Sequence, residues 1–416
     1  MKTVEEHLAE VLALVAPLPP LDLQLLDAHG RTLLEDVVAP QDLPGFDNSA
    51  MDGYAVRLTD VAAAAEDSPV TMPVTGDIAA GSRSAYALGP GFTARIMTGA
   101  PMPRHADAVV PVEWTDGGVA RVEIRRAPAL GEHIRRAGTD VRSGQVVLEH
   151  GTVLGPTQIG LLAAIGRDRV LIQPQPRVVV LSTGDELVEP GQPIGMGQVA
   201  DANSYMLACA AREAGAIVYR AGIVGDDARK LMNVLEDQLI RADLVITTGG
   251  VSKGAYDVVK EVLSRLGTVS FDEVAMQPGK PQGFGTIGPD DTPILTLPGN
   301  PVSSYVSFEV FARPALRRLA GHADDELRRP LVTGRSTAAM RSPAARRQYV
   351  RVRAEKRREG WSATPVGGHG SHLIGSLAQA NAFAVIGEHV VEVPTGGNVE
   401  IMLLDSARDR QDAARR

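Results

Sequence analysis

The sequence predicts a multidomain α/β plus β protein, and three observations predict it. Between Arg177 and Gly321, apolar strand-like runs alternate with amphipathic helical stretches, the pattern of a mostly parallel sheet with helices on both faces, a three-layer α/β domain. On either side of that stretch the texture is short β-like runs punctuated by Pro and Gly. The length, 416 residues, is enough for several domains.

In chain order, Thr3 to Val15 reads as an amphipathic helix. Thr3 and Glu6 form a capping box, and Val4, Leu8, Val11, Leu12 and Val15 share one face before Pro17, Pro19 and Pro20 stop it. From Asp36 to Gly144 come TARIMTG, DAVVPVEW and GVARVEIR, a β-rich module with no long helix. Thr157 to Ile165 is a further short helix whose neighbours are expected to pack beside the first. The β-rich module, 46–135, is therefore expected as an insertion in a helical linker segment, 1–45 with 136–175.

The α/β domain, 176–325, begins with VVVL (Val178 to Leu181), which ends in STGD. A helix follows from Ser204 to Glu213, closed by Gly215. The strand AIVYRAGIV leads into Asp226 and Asp227, an acidic start for a helix from Ala228 to Ile240. DLVITT breaks at Gly249 and Gly250, a helix runs from Asp257 to Leu266 with Gly267 as its stop, and ILTLP turns at Gly299 and Asn300 into a helix near Ser303. Beyond it, QYVRVRAE, WSATPV, NAFAVIGE, VVEVP and VEIMLL fit a small C-terminal β-barrel, 326–405. The tail, 406–416, is charged and aperiodic and is expected to be disordered.

Composition excludes several classes. Lys and Arg number 42 against 50 Asp and Glu, a net charge of −8, which argues against a nucleic-acid binder. Aromatics are 4% of the chain, too few for recognition by base stacking. The single cysteine, Cys209, rules out a disulfide framework, and its apolar surroundings, YMLACAA, predict a buried thiol. No apolar run is long enough to span a membrane, and the acidic start MKTVEEHLAEV does not read as a signal peptide, so a cytoplasmic protein is expected.

Ligands of open α/β sheets settle outside the carboxyl ends of the strands. Three Gly-rich loops leave those ends: Ser182, Thr183, Gly184 and Asp185 in the first, Gly249, Gly250 and Ser252 in the second, and Pro298, Gly299 and Asn300 with Ser303 and Ser304 in the third. Close backbone approach, helix N-termini and hydroxyl donors suit a phosphorylated small molecule. Asp185, Glu186, Asp226 and Asp257 lie on the same loops. Carboxylates beside a phosphate need a bridging cation, usually Mg²⁺. Asp226 and Asp257 read equally well as helix caps. Glu186 has no capping role and is the strongest single candidate.

Other motifs fail on context. GFGTIG (Gly283 to Gly288) is followed by Pro289 with no helix opening, and GMGQVA follows prolines rather than a strand. PGKP lacks the upstream Gly and the hydroxyl of a P-loop. His369 and His372 in GHGSH have no acidic or thiol partner nearby in the sequence and read as a loop. There is no GxSxG elbow.

Taken together, FDNSAMDGYAVR, RIMTGAPMP, ADAVVPVE, IRRAGTD, LSTGDEL, TTGGVSKGAYD, PGKP, LPGNPVS and GSH resemble the MoeA family of molybdopterin molybdenumtransferases, to which the catalytic domain of gephyrin belongs. The match covers nearly the whole chain. The resemblance implies a four-part protomer, an elongated homodimer, and an active site shared between the α/β domain of one subunit and the inserted domain of the other. It implies insertion of molybdate into adenylated molybdopterin with release of AMP and Mg²⁺ present, and the molybdopterin adenylyltransferase as a further partner. By resemblance Glu186 and Asp257 handle the metal or the attacking water, and Asp52, Thr98, Asp140 and Asp226 are further catalytic positions. Read alone, Asp52-Gly53 is a plain turn and Thr98-Gly99 a strand end. Lys280, Ser303, Arg351 and Ser371 match the family's anion site. By the same resemblance Gln277 stands where many relatives carry lysine and Glu273 near a position that is lysine in some, so weaker molybdate capture is expected. The alternative is a gephyrin-like dimeric scaffold that binds a partner's peptide. Adenylation by the α/β domain alone leaves the module and barrel unexplained.

Overall fold

The computed structural model describes residues 1–83, 86–250 and 256–404, with side chains throughout except at 256–258 and 260. Ser252, the side chain of Asp257 and the tail 406–416 lie outside the described residues. The chain divides into two units, one of Pro20–Ile172 and one of Met1–Pro19 with Gln173–Arg416.

Helix α1 (Val4–Ala13) starts as the sequence predicts: the Thr3 hydroxyl accepts from the Glu6 amide, and the Glu6 carboxylate accepts from the Thr3 amide. Its face of Val4, Leu8 and Val11 is buried, and it belongs to the larger unit.

The smaller unit holds a five-stranded sheet of β1 (Gly53–Val56), β2 (Val70–Ile78), β3 (Thr93–Ile96), β4 (Ala108–Pro111) and β5 (Arg121–Ile124), in the order β4-β1-β3-β2-β5. Alternation along β1 sends Tyr54 and Val56 to one core and Ala55 to another. Gly53 is required where β1 meets β4, because a Cβ there would collide with the Val110 carbonyl. Helix α2 (Pro156–Ala164) packs its Leu162 into a core with Leu33, Val37, Leu154 and Ile172. Leu162 finds its apolar partners among the short strands of residues 21–38 and 169–172, while the α1 face finds them in the larger unit.

In the larger unit, β6 (Arg177–Thr183), α3 (Asn203–Glu213), β7 (Ile217–Val224), α4 (Ala228–Leu239), β8 (Leu244–Thr248), α5 (Tyr256–Leu266), β9 (Gly267–Glu273), β10 (Pro281–Ile287) and β11 (Thr292–Leu297) build a six-stranded sheet. Its order is β7-β6-β8-β11-β10-β9. The first four strands are parallel, and β10 and β9 are antiparallel additions at one edge. Two faces follow from the period of two: Val178 and Val180 pack with Leu207 of α3 and with Val11, while Val179 and Leu181 pack with Leu235 of α4 and Leu263 of α5. Each such side chain, fully buried, contributes about 1.5–3 kcal/mol. After β11 the chain runs through α6 (Pro301–Ser307) and a wider turn into α7 (Arg313–Leu319).

The C-terminal region is a closed five-stranded barrel of β12 (Leu331–Ser336), β13 (Arg347–Arg357), β14 (Gly360–Pro365), β15 (Ala382–Ile386) and β16 (Asn398–Leu403), with helix α8 (Ile374–Gln379) before β15. Closure comes from β13 pairing with both β14 and β15, which leaves no barrel edge open. No helix among the described residues is long and apolar enough to cross a membrane.

Cys209 is exposed, not buried. Ser204, Leu207, Ala208 and Ala211 form the buried stripe of α3, and Cys209 falls with Tyr205 on the opposite face. There it lines a pocket of about 440 Å³ with Met206, Tyr305, Leu377 and Leu404.

Candidate functional site

Strand order reverses between β6 and β8, which places a topological switch point at the two loops that begin Gly184 and Gly249. The loops touch there. The Thr183 hydroxyl donates to the Thr248 carbonyl at 3.5 Å, and a Cβ on Gly250 would lie 2.9 Å from Thr183 Oγ1. Gly299 of the third loop approaches Gly249 so closely that its Cβ would stand 3.4 Å from the Gly249 Cα.

The glycines act more through this close packing than as amide donors. The Gly184 N–H donates to the Val224 carbonyl and the Gly249 N–H to the Leu297 carbonyl, both at 3.1 Å. These two amides are consequently engaged within the sheet. The hydroxyls are also largely committed. Ser182 is fully buried and donates to Asp201 at 2.9 Å, Thr183 is buried, and Ser304 shares a 3.1 Å hydrogen bond with Thr248. Ser303 is buried on α6, and Pro298 is buried beneath the third loop, its carbonyl accepting from Thr248.

Two residues the sequence reading passed over hold these loops together. Asp201, 1% exposed, accepts from Ser182 Oγ, Ser204 N and Ser204 Oγ, tying the end of β6 to the start of α3. Asn203 Nδ2 donates to Thr248 Oγ1 at 3.1 Å and to the Gly299 carbonyl at 2.6 Å. The signal available was DANS itself, an Asp three residues ahead of Ser204 at a helix start.

The acids separate by role. Asp227 caps α4, accepting from the amides of Arg229 at 2.9 Å and Lys230 at 3.1 Å. That relieves Asp226 of capping. Its amide instead donates to Asp185 Oδ1 at 3.0 Å, and its carboxyl is pushed up, first by partial burial and then by the charges of Asp185 and Glu186. Glu186 is exposed and folds back over Gly184. Among the described residues the three carboxylates do not close into a preformed cage. Mutually repelling acids with only oxygen donors fit a hard divalent ion.

A second polar centre lies where the barrel meets α6. Arg351 of β13 is 5% exposed. Its guanidinium donates to the Gly370 carbonyl at 2.9 Å and to that of Gly368, its Nε is unpartnered, and among the described residues it faces no carboxylate. Burial pulls its pKa down. Ser371 follows directly, and its carbonyl accepts from Val302 of α6 at 3.0 Å. The cavity beside Arg351, lined also by Pro278, Val302, Gln348 and His369, has about 20 Å³, room for roughly one water. Lys280 is partnered: its Nζ lies 2.8 Å from Glu273 Oε1. His369 bonds to Gln348, and the GHGSH pair gathers no further ligand among the described residues. GFGTIG lies in β10, so no helix opens there.

In the smaller unit, pairing of β1 with β3 sets Asp52 beside Thr98. Asp52 Oδ1 accepts from the Thr98 amide at 2.7 Å and its hydroxyl at 2.8 Å, which holds the carboxyl below the usual range. Asp140 is exposed just after the Gly138 turn, with its amide bonded to the Leu43 carbonyl.

A switch-point crevice rimmed by carboxylates, with a buried guanidinium that faces no carboxylate among the described residues elsewhere in the same unit, defines a multidomain α/β protein with its polar groups gathered at the carboxyl ends of the strands. Residues 2–166 match the MoeA N-terminal region (domain I and II), residues 179–318 a probable molybdopterin binding domain, and residues 333–404 the MoeA C-terminal region (domain IV). The chain is 46% identical over 407 residues to molybdopterin molybdenumtransferase 2 of Mycobacterium tuberculosis, covering 96% of this chain and 99% of the relative. To molybdopterin molybdenumtransferase 1 of that organism it is 41% identical, covering 97% and 99%. The crystal structure of a molybdopterin biosynthesis MoeA protein from Pyrococcus horikosii superimposes with a TM-score of 0.73 at 32% identity, covering 97% of this chain and 99% of that one. The chain belongs to the MoeA family of molybdopterin molybdenumtransferases, enzymes of the final step of molybdenum-cofactor synthesis.

Proposed function

We propose that this chain takes adenylated molybdopterin and molybdate, places molybdenum in the dithiolene and releases AMP, with Mg²⁺ held at the acidic rim of the crevice. The observation that carries this reading is the acidic rim itself: Asp185, Glu186 and Asp226 gather at the switch point with, among the described residues, no cationic side chain as a hydrogen-bond partner. Mg²⁺ would be held by Glu186 and Asp226, with Asp257 a further ligand by family resemblance, and would spread the charge that builds as the phosphoanhydride breaks. Glu186, exposed and free of capping, orients the attacking oxygen and takes its proton. Gly249, Gly250 and Gly299 let the three loops pack against one another beneath the ligand, pinned further by Asp201 and Asn203.

Arg351 supplies the positive charge for the molybdate dianion. The space beside it admits only about one water in this closed arrangement, so the loop around Gly367, Gly368 and Gly370 must open for a tetrahedral oxyanion to enter. Asp52, Thr98 and Asp140 join the site from the second subunit of a homodimer, a reading that rests on the family resemblance. Incubating the purified protein with adenylated molybdopterin, molybdate and Mg²⁺ should yield AMP in proportion to molybdenum incorporated. Absence of AMP with every divalent ion tried would overturn the reading.

A further inference from the structure

Away from the crevice, three side chains of metal-ligating type meet at the edge of the sheet. A ring nitrogen of His7, an oxygen of Glu10 and an oxygen of Asp272 all lie within 4.8 Å of one another. His7 and Glu10 are three residues apart on α1 and so share a face, and Asp272 comes from β9. The two elements are held together by backbone: the Lys2 N–H donates to the Glu273 carbonyl at 3.0 Å, and the Ala275 N–H to the Lys2 carbonyl at 2.7 Å.

His7 does not behave as ordinary core. It is 1% exposed, yet its Nδ1 has no hydrogen-bond partner, a state that costs stability. Phe284 and Phe311 meet the imidazole edge-on at 4.8 and 4.7 Å between centroids, which orients the ring without satisfying its nitrogen. In front of it, Lys2 Nζ lies 2.5 Å from Glu10 and 2.8 Å from Asp272. One ammonium faces two carboxylates, so a negative charge is left over, and the Lys2 hydrogen bonds go to the carboxylates and not to His7 Nδ1.

We infer that His7, Glu10 and Asp272 form a site for a divalent transition metal of the Zn²⁺ or Co²⁺ type, and that Lys2 is the internal cation that fills it in the metal-free protein. One nitrogen and two carboxylate oxygens make a three-ligand set with a position left for water. The set is open on one side, since Glu10 is 44% and Asp272 23% exposed. A mixed nitrogen and oxygen set favours a borderline ion over Mg²⁺, which separates this site from the crevice. Lys2 sits on a flexible stem and is 33% exposed, so it can swing into water at the small cost of a surface ion pair. The bound ion clamps α1 to β9.

The test uses the untagged full chain, with Co²⁺ followed by visible absorption and Zn²⁺ by calorimetry. One equivalent of metal is expected. His7→Gln and Asp272→Asn should each abolish that equivalent. Lys2→Met should tighten it about fivefold, because the competing ion pairs are gone. Adventitious binding at other histidines gives no response to Lys2. If neither the parent protein nor Lys2→Met binds one equivalent, or if binding is indifferent to all three changes, the inference is wrong. Should His7→Gln not fold, Lys2→Met and Asp272→Asn decide the matter.

Discussion

Lys280 Nζ lies 2.8 Å from Glu273 Oε1, so the lysine of PGKP already carries a counter-ion before any anionic substrate arrives. The same contact holds the Glu273 carboxyl below the ordinary range. An incoming oxyanion must compete with that carboxylate. Glu273→Gln should therefore lower the molybdate concentration for half-maximal AMP release by about threefold, with little change at saturation, and the gain should shrink at high salt. An unchanged molybdate dependence would show that Lys280 takes no part in anion capture.

Asp226 and Asp227 are neighbours with opposite work. Asp227 caps α4, so Asp227→Ala should lower the melting temperature by a few degrees and spare turnover. Asp226→Asn relieves a carboxyl already pushed up by its surroundings, so it should leave stability unchanged or raise it. Turnover should fall by about a hundredfold in Asp226→Asn and in Glu186→Gln, which keeps its fold. Thermal melts and AMP release on the same three variants check the assignment, and reversal of the Asp226 and Asp227 phenotypes would sink it.

How much of this was legible in the sequence depends on the range of the interactions. The Thr3–Glu6 box, the strand–helix alternation and the loops at Gly184, Gly249 and Gly299 are local patterns; the box opens α1, and the three loops come together at the switch point of the sheet. Strands β9 and β10 went unread because Gly267 looked like a helix stop and GFGTIG like a failed nucleotide motif. They pair with each other, and β10 with β11, but Gly283 and Gly285 are there because the facing side chains and carbonyls of those strands leave no room for a Cβ, which only the packed sheet reveals. The Asp52–Thr98 contact spans 46 positions and exists only through sheet pairing. Whether an amide is free is likewise invisible in sequence: the Gly184 and Gly249 N–H groups are taken by the Val224 and Leu297 carbonyls, which lie far off in the chain.

His7 gives the metal-free protein an acid sensitivity that can be measured. Burial pulls its pKa down from 6.5 to about 4. The unfolded chain therefore takes up a proton near pH 6.5 that the folded chain refuses until about pH 4. The contribution to stability is fully present above pH 6.5 and is lost as pH falls toward 4, amounting to about 3 kcal/mol. Denaturant unfolding between pH 7.5 and about 4 should show this slope, and His7→Phe should flatten it. An identical slope in the variant would place the sensitivity elsewhere.

The proposed shared active site makes a prediction about mixtures. If Asp52 of one subunit serves the crevice that holds Glu186 of the other, Asp52→Asn and Glu186→Gln are each inactive as homodimers. In a mixed dimer both defects fall on one of the two sites, and the other site contains an intact Asp52 and an intact Glu186. Unfolding and refolding the two variants together in equal amounts makes half the dimers mixed, each with one working site. AMP release should then recover to about a quarter of the parent rate. A site built within a single chain gives no recovery, because every chain carries one defect, and a stable monomer in solution gives none either. Mass measurement of the refolded mixture distinguishes these two failures. A monomer leaves Asp52 and Thr98 without a crevice to serve, whereas an inactive dimer assigns their hydrogen-bonded pair to holding the end of the β1–β3 pairing alone.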